Sequence, residues 1–237
     1  MPGVRAFRWS CDEPYTSVKT FYAVARVERG FTEYSAAGQR WRATPRTIVL
    51  KQPGDVCLAT RTATTMQVVV LQLDAPRVRV TPQLAANDER GAAFHRVHDV
   101  IAQGAERLDL EVALAEAAAA FASVAAPPTP HPIRRALELL RARFAEPVTL
   151  DELAAEVGLD KFHLCHAFRA QLGIPPYAYV IQLRIARAKA LLAAGAKPSD
   201  VAGQVGFYDQ SQLSRHFRRI VGVTPGRYSS GRSAPRR

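Results

Sequence analysis

The chain has 237 residues, of which 48% are apolar and 22% charged, a composition that is ordinary for a globular protein and argues against disorder over most of its length. Its net charge of +11 lies mainly in the second half: residues 133–237 hold 17 Lys and Arg against 8 Asp and Glu, whereas residues 1–132 hold 15 against 13. A basic domain of this kind favours polyanionic partners such as nucleic acid. No apolar run reaches the 18 residues that a membrane-spanning helix needs, so we expect no membrane partner.

The three cysteines, Cys11, Cys57 and Cys165, are widely spaced and form no Cys-x-x-Cys pair. This pattern predicts neither a disulfide framework nor a thiolate zinc site, and it is typical of a reducing compartment. The N-terminal residues lead into no apolar segment of the length that a secretory signal needs. We therefore expect a cytoplasmic protein, and a redox pairing of Cys11 with Cys57 stays an open alternative.

The first part of the chain reads as short strands separated by turns. The strand-like runs are 18–28, 46–51, 56–60, 66–73 and 77–80, and turn residues lie at 29–30, 36–38 and 53–55. Closely spaced strands without intervening helices predict an antiparallel sandwich or barrel.

Two helices are predicted to follow these strands, over 88–103 and 110–124, and Asp109 is a candidate N-cap of the second. An apolar stripe on this second helix either packs on the sheet or meets its copy in a second subunit; it consists of Leu110, Leu114, Ala117 and Phe121. Residues 125–132 then contain four prolines, which interrupt any regular element. The sequence thus predicts an α+β protein with an N-terminal domain over 1–124 and a linker over 125–132.

Everything beyond the linker looks helical. The predicted helices span 133–145, 150–157, 161–172, 177–194, 198–205 and 210–221, within a domain over 133–229 that a basic tail, 230–237, follows. The helix ends have the residues that caps require. Thr149 with Glu152 predicts a capping box, Asp209 with Gln212 has the same spacing, and Asp160 can cap its own helix.

One segment of this domain occurs twice in altered form. The first copy runs from Val157-Gly158 through Phe168, and the second from Val205-Gly206 through Phe217. Each copy has the glycine and the apolar spacing of a helix-turn-helix, so we predict two such units, over about 149–173 and 197–222.

The second helix of each unit has a face opposite its buried residues. We predict that side chains on this face contact bases in the major groove; these candidates are Phe162, Cys165, His166 and Arg169 in the first unit, and Ser211, Ser214, Arg215 and Arg218 in the second. A separate set is predicted to contact phosphates, namely Lys161, Gln210, Gln212, Arg184 and Arg219. The helix over 177–194 would be roughly 27 Å long, and the repeat of successive major grooves is about 34 Å. One chain could therefore span two adjacent grooves.

The second unit, from Gly206-Phe207 through Phe217 to Pro225 and Tyr228, closely resembles the signature of the AraC/XylS family of bacterial transcriptional regulators. The strand-rich first part is similar in pattern to the cupin-like effector-binding and dimerisation domains of that family. The resemblance implies a cytoplasmic, nucleoid-associated transcription factor that binds promoter DNA and a small-molecule effector, forms a homodimer, contacts RNA polymerase and is more often an activator than a repressor.

An enzyme is not expected, nor is a metal or other cofactor. Metal-dependent cupins carry histidines in their strands, yet residues 1–94 contain no histidine. An alkyl-transfer DNA repair protein would need a four-thiolate zinc site, and its domain would have only Cys11 and Cys57. A ligand-independent architectural protein that binds DNA through its basic domain remains the main alternative.

Two smaller sets of residues have two readings each. Trp9 and Trp41 could line an effector pocket or simply pack in the core. His95 and His98, beside Asp99, could be metal ligands on one helix face or ordinary surface or interface histidines.

Overall fold

The computed structural model describes residues 4–36, 38–71, 80–124 and 131–230. The chain divides into two compact units. The first comprises residues 1–15 and 19–128 and contains nearly all of the strands, and the second comprises residues 129–237, with which residues 16–18 are grouped.

The first unit is built on one antiparallel sheet. Its strands are β1 (Val4–Cys11), β2 (Tyr15–Val18), β3 (Tyr22–Ala36), β4 (Gln39–Ala43), β5 (Ile48–Lys51), β6 (Val56–Leu71) and β7 (Gln83–Leu84). The order in the sheet is β1-β6-β3-β5-β7, while β2 pairs with β6 and β4 with β3. The antiparallel architecture that the sequence predicts is therefore confirmed.

The strands differ from the prediction in several places. The predicted turn at 29–30 is wrong, because β3 continues through it with a register shift against β6 between Val27 and Arg29. Gly30, just after this shift, has φ +78°, and a Cβ there would lie 1.8 Å from the Ala63 carbonyl oxygen, so only glycine fits at this position. The runs 56–60 and 66–73 belong to a single strand as far as Leu71. Strands β1, β4 and β7 were not predicted, nor was β2 apart from Val18. Residues 72–79, with most of the run 77–80, lie outside the described residues.

Two helices cover one face of this sheet. After a short 3-10 turn (Glu89–Gly91) come α1 (Ala92–Gln103) and α2 (Arg107–Ser123). The predicted stripe of α2 packs into the core that α1 and the sheet form, and it does so through Leu110, Leu114, Ala117 and Phe121. Asp109 is not the N-cap, because α2 begins at Arg107 and Glu106 takes that position.

Polar contacts also join α1 to the sheet. His98 is fully buried, and its Nδ1 lies 3.0 Å from Oε1 of Gln67 on β6. Arg26 on β3 pairs with Asp99. Burial is the main reason why the pKa of His98 falls to about 3, so its imidazole is neutral at physiological pH.

The second unit is entirely helical over its described residues from 131 onward. Its helices are α3 (His131–Ala142), α4 (Leu150–Val157), α5 (Lys161–Leu172), α6 (Pro176–Ala193), α7 (Pro198–Gln204), α8 (Gln210–Val221) and α9 (Pro225–Ser229). Helix α3 begins two residues before the predicted start, within the predicted linker, and it ends three residues before the predicted end. Helix α9 was not predicted. The linker residues 125–130 and the tail residues 231–237 lie outside the described residues.

Among the described residues, no helix combines the length and the hydropathy that crossing a bilayer requires.

Candidate nucleic-acid interface

The first helix-turn-helix unit consists of α4 and α5. Thr149 and Glu152 form the predicted capping box, in which the Thr149 amide donates to the Glu152 carboxylate at 2.8 Å. Gly158 ends α4 with φ +70°, a left-handed conformation that favours glycine. Asp160 then accepts from the amides of Phe162 and His163 and so starts α5. Caps at both ends of the turn thus fix the direction in which α5 leaves α4.

The second unit, α7 and α8, has the same organisation with a longer turn. Five residues separate α7 from α8, whereas three separate α4 from α5. The Asp209 carboxylate accepts from the Gln212 amide at 2.7 Å, as predicted. The return contact differs from a capping box, because Oε1 of Gln212 accepts from the amide of Tyr208 rather than from that of Asp209.

Each recognition helix, α5 or α8, has one buried face. Leu164 and Phe168 of α5 are fully buried, as are Leu213 and Phe217 of α8. The eight residues predicted to contact bases lie on the outer side of these helices. Phe162, His166, Arg169, Ser211, Arg215 and Arg218 are exposed, while Cys165 and Ser214 are half-buried.

Phe162 has the most unusual environment of these eight. Its side chain is 78% exposed. Burial of a Phe side chain against a partner would contribute roughly 1.5–3 kcal/mol.

Four of the five residues predicted to contact phosphate remain at or near the surface. Lys161 and Gln210 are the first residues of α5 and α8, and both are exposed. Nζ of Lys161 lies 3.3 Å from the Asp151 carboxylate in an exposed pair. Arg219 is exposed, and one guanidinium nitrogen lies 3.1 Å from Nδ1 of His216. Gln212 is half-buried, and its side-chain NH2 is left to donate.

Arg184, the fifth candidate, is engaged within the protein. Its guanidinium is turned inward and donates to three backbone carbonyl oxygens within the helical unit. Burial lowers its pKa from the ordinary value. A guanidinium engaged in this way has few donors left for DNA.

The prediction missed an exposed aromatic residue, Tyr208, which immediately precedes the N-cap of α8. It is 94% exposed. With Asp209, Ser211, Gln212 and Arg215 it lines a surface concavity of about 430 Å³. The sequence could have indicated this exposure, because Tyr208 directly precedes an N-cap. The adjacent Phe207 is the aromatic residue of this turn that is buried.

The histidines of the two units have opposite electrostatic environments. His163 contacts the Asp160 carboxylate, and this hydrogen bond raises the pKa of His163 and lowers that of Asp160 to about 2. His216 is buried and stacked on Phe207, with ring centroids 5.6 Å apart. Burial, reinforced by nearby arginines, lowers the pKa of His216. Protonation is therefore favoured for the imidazole of His163, in the first helix-turn-helix unit, and disfavoured for that of His216, in the second.

Trp9 and Trp41 lie in the strand-rich N-terminal unit, far in sequence from both helix-turn-helix units. Both are half-buried and pack against the same apolar cluster between the strands, which includes Tyr34, Cys57 and Met66. Nε1 of Trp41 donates to the Ala36 carbonyl at 3.1 Å.

Two further polar groups reach this cluster. Nζ of the buried Lys51 lies 4.3 Å from the centre of the Tyr34 ring. Burial disfavours the Cys57 thiolate, but Lys51 and Lys19 outweigh it and lower the pKa of this thiol. The Tyr15 hydroxyl is 3.6 Å from Sγ of Cys57. The interior thus contains a cation, a thiol and hydroxyl groups among aromatic rings.

Within the described ranges, no three His, Cys, Asp or Glu side chains are arranged to hold a metal ion. His98 and His95 do not act as a pair of ligands, because His98 is enclosed in the core and contacts Gln67.

Comparison with known proteins identifies the helical unit. A sequence model described as a helix-turn-helix domain matches residues 153–231. The chain is 33% identical over 107 residues to the arabinose operon regulatory protein of Escherichia coli, a match that covers 44% of this chain and 37% of that protein. The helical unit is thus similar in sequence to regulators of the AraC/XylS type. Over 81 residues the chain is also 42% identical to an uncharacterized HTH-type transcriptional regulator, YbfI, of Bacillus subtilis, covering 34% of this chain and 30% of that protein.

The chain spans only about a third of the length of these curated relatives. A likeness of fold extends further. The structure of ToxT from Vibrio cholerae O395 matches with a TM-score of 0.61 at 15% identity, covering 96% of this chain and 97% of ToxT. This likeness bears out a cupin-like strand unit followed by a helical domain.

Proposed function

We propose that this chain is a sequence-specific DNA-binding regulator of transcription. The observation that carries the proposal is the pair of helix-turn-helix units in one family domain, each with a capped recognition helix and an exposed outer face. On this proposal residues 133–229 bind DNA, and residues 1–124 bind an effector and form the dimer.

The two units would read two different half-sites. Arg215 can donate two parallel hydrogen bonds to a guanine, whereas Phe162 and Cys165 suit apolar contact with a thymine methyl group. Lys161, Gln210, Gln212 and Arg219 would fix the register on the phosphates. The DNA target within one chain is therefore asymmetric.

Selection of bound sequences from random double-stranded DNA tests this function. The full chain should enrich a bipartite motif, and its affinity for that motif should exceed its affinity for scrambled DNA by about 1000-fold or more at fixed salt. An architectural protein would instead bind all sequences similarly. Enrichment of no motif would contradict the regulator and favour that alternative.

We further propose that the interior of the strand-rich N-terminal unit binds a small apolar acid. The support is a buried ammonium among aromatic rings, namely Lys51 beside Tyr34 with Trp9 and Trp41 on the same cluster. ToxT, which resembles this chain in fold, has been solved with (E)-4-(8-methylnaphthalen-1-yl)but-3-enoic acid and with an unsaturated fatty acid.

Tryptophan fluorescence offers a direct test of this site, because the two tryptophans of the chain are Trp9 and Trp41. A bound acid should change the emission of the full chain and raise its melting temperature. Lys51→Met should abolish both responses, while Lys197→Met, at an exposed position next to α7, should keep them. Equal responses in the two variants would exclude Lys51 from the site.

A homodimer is part of the same proposal. The side of α2 away from the core carries an exposed apolar stripe at helical spacing, formed by Leu108, Val112, Ala115 and Ala119. Leu108 is 69% exposed, which favours a second copy as its cover. Sedimentation equilibrium should give a dimer that Leu108→Glu dissociates and Ala102→Glu, on α1, leaves intact. A monomeric wild-type chain would exclude this interface.

From the family resemblance we also propose a cytoplasmic, nucleoid-associated activator, without enzymatic activity, that contacts RNA polymerase. Transcription reconstituted with the selected DNA motif upstream of a promoter should rise when the chain is added. A fall would indicate a repressor.

A further inference from the structure

One arginine joins three segments of the helical unit. The guanidinium of Arg184, on α6, donates through Nε to the Phe144 carbonyl at 2.7 Å and through its two terminal nitrogens to the carbonyls of Gly206 at 2.6 Å and Glu146 at 3.0 Å. Its guanidinium carbon also lies 5.8 Å from the centre of the Phe207 ring. All three nitrogens of the fork are therefore engaged.

These acceptors lie in two different turns. Phe144 and Glu146 lie in the turn that leads from α3 into the first unit, while Gly206 and Phe207 form the turn of the second unit. Helix α6, which carries Arg184, connects the two units. The Arg184 side chain thus connects the turn that precedes the first helix-turn-helix unit to the turn that sets the direction of α8.

The backbone at this junction has no room to adjust. A Cβ on Gly206 would lie 2.4 Å from the Ala145 carbonyl oxygen, and Gly206 has φ +84°. The two turns therefore touch at a point that only glycine allows. Lysine could not replace the arginine fully, because one ammonium group cannot reproduce the flat fork that reaches three carbonyls.

We propose that Arg184 is a positioning residue that fixes the separation and orientation of the two recognition helices, so that one chain accepts its two half-sites at only one spacing. The inference rests on the proposed DNA-binding function. Rigid linkage of two weak binding units raises affinity only for DNA that both units can reach together.

The test uses the full chain and DNA whose half-sites come from the selection experiment. Duplexes with one, two or five base pairs inserted between the half-sites are compared with the selected spacing. We expect insertion to weaken wild-type binding by about 30-fold. In Arg184→Ala we expect a loss of about 10-fold at the selected spacing but a further loss of less than about 3-fold on insertion.

Arg187→Ala is the matched control, because Arg187 is an exposed arginine of the same helix. Removing its charge should leave the wild-type penalty for insertion unchanged. Arg184→Lys, which keeps the charge, serves as a second variant if Arg184→Ala does not fold, as judged by circular dichroism. It should give an intermediate penalty.

Two results would overturn the inference. One is a folded Arg184→Ala or Arg184→Lys variant that keeps the full wild-type penalty for insertion. The other is a loss of affinity that is equal at every spacing and follows the unfolded fraction, which would make Arg184 a stabilising residue only. If the wild-type chain selects no motif at all, the proposed function itself fails, an outcome distinct from both.

Discussion

The two helix-turn-helix units share their buried residues and differ on their outer faces. Leu164 and Phe168 of the first have the same spacing as Leu213 and Phe217 of the second, and all four are fully buried. At the outward positions, Phe162 and His166 correspond to Ser211 and Arg215.

The charges of the recognition helices differ as well. Helix α8 carries Arg215, Arg218 and Arg219 and no acidic residue, while α5 carries Lys161 and Arg169. The matching buried residues give both recognition helices the same packing within their units. The outward residues differ, so the two helices would bind different bases. We expect the second unit to read guanine through hydrogen bonds and the first to rely more on apolar contact.

The strongest test of this comparison removes the main hydrogen-bonding side chain of α8. Arg215→Ala should lose about 1–3 kcal/mol of discrimination at a single base pair, since it deletes a bidentate donor. Competition binding with the selected DNA and with each base substitution measures the loss. Arg227→Ala, an exposed arginine on α9, is the control and should keep the preference. Uniform weakening on all sequences would mean that Arg215 contacts phosphate instead.

The corresponding test of the first unit replaces its exposed ring by the residue of the second. Phe162→Ser should cost about 1 kcal/mol, mainly at a thymine, because an apolar contact with the methyl group is lost. Replacing that thymine by uracil should remove the difference between wild type and variant. A variant that still distinguishes thymine from uracil would move the contact to another residue.

The first residues of the recognition helices allow a reciprocal exchange. Lys161→Gln should lower the salt dependence of binding by about one phosphate contact, and Gln210→Lys should raise it by the same amount. Plots of log affinity against log salt concentration give both slopes. Unchanged slopes would remove these two positions from the phosphate contacts.

The smallest expected effect is opposite pH dependence in the two units. His163 has a raised pKa, so its contribution to stability is present below about pH 6.5 and is lost as the pH rises through the raised pKa. His216 has a lowered pKa, so its contribution is present above about pH 6.5 and is lost as the pH falls through the lowered pKa. NMR titration of the imidazole protons should give a higher pKa for His163 than for His216, and the reverse order would contradict the comparison.

Features of this chain that depend on near neighbours could be predicted from its sequence. The capping residues Thr149, Asp160 and Asp209 and the buried stripes of the recognition helices follow from spacings of three or four residues. Antiparallel strands followed by two helices also followed from local pattern.

Features that depend on distant backbone could not be predicted. Gly30 looked like a turn because nothing in its neighbourhood shows that the Ala63 carbonyl lies against it. Arg184 looked like a surface cation on an amphipathic helix, yet its partners are carbonyl oxygens that any residue type could provide. Contacts with the backbone leave no trace in the identity of the partner residue.

Strand β6 has a consequence for how the chain folds during synthesis. It pairs with β1, joining Val4 to Leu71 and Cys11 to Thr64, so β1 is synthesised well before the strand with which it pairs. Helices α4 and α5, by contrast, form from residues made within moments of each other. Folding is slow where contacts are distant in sequence, and an unpaired edge strand is prone to aggregation. The strand unit, although it is made first, should be the slower to fold and the more dependent on chaperones.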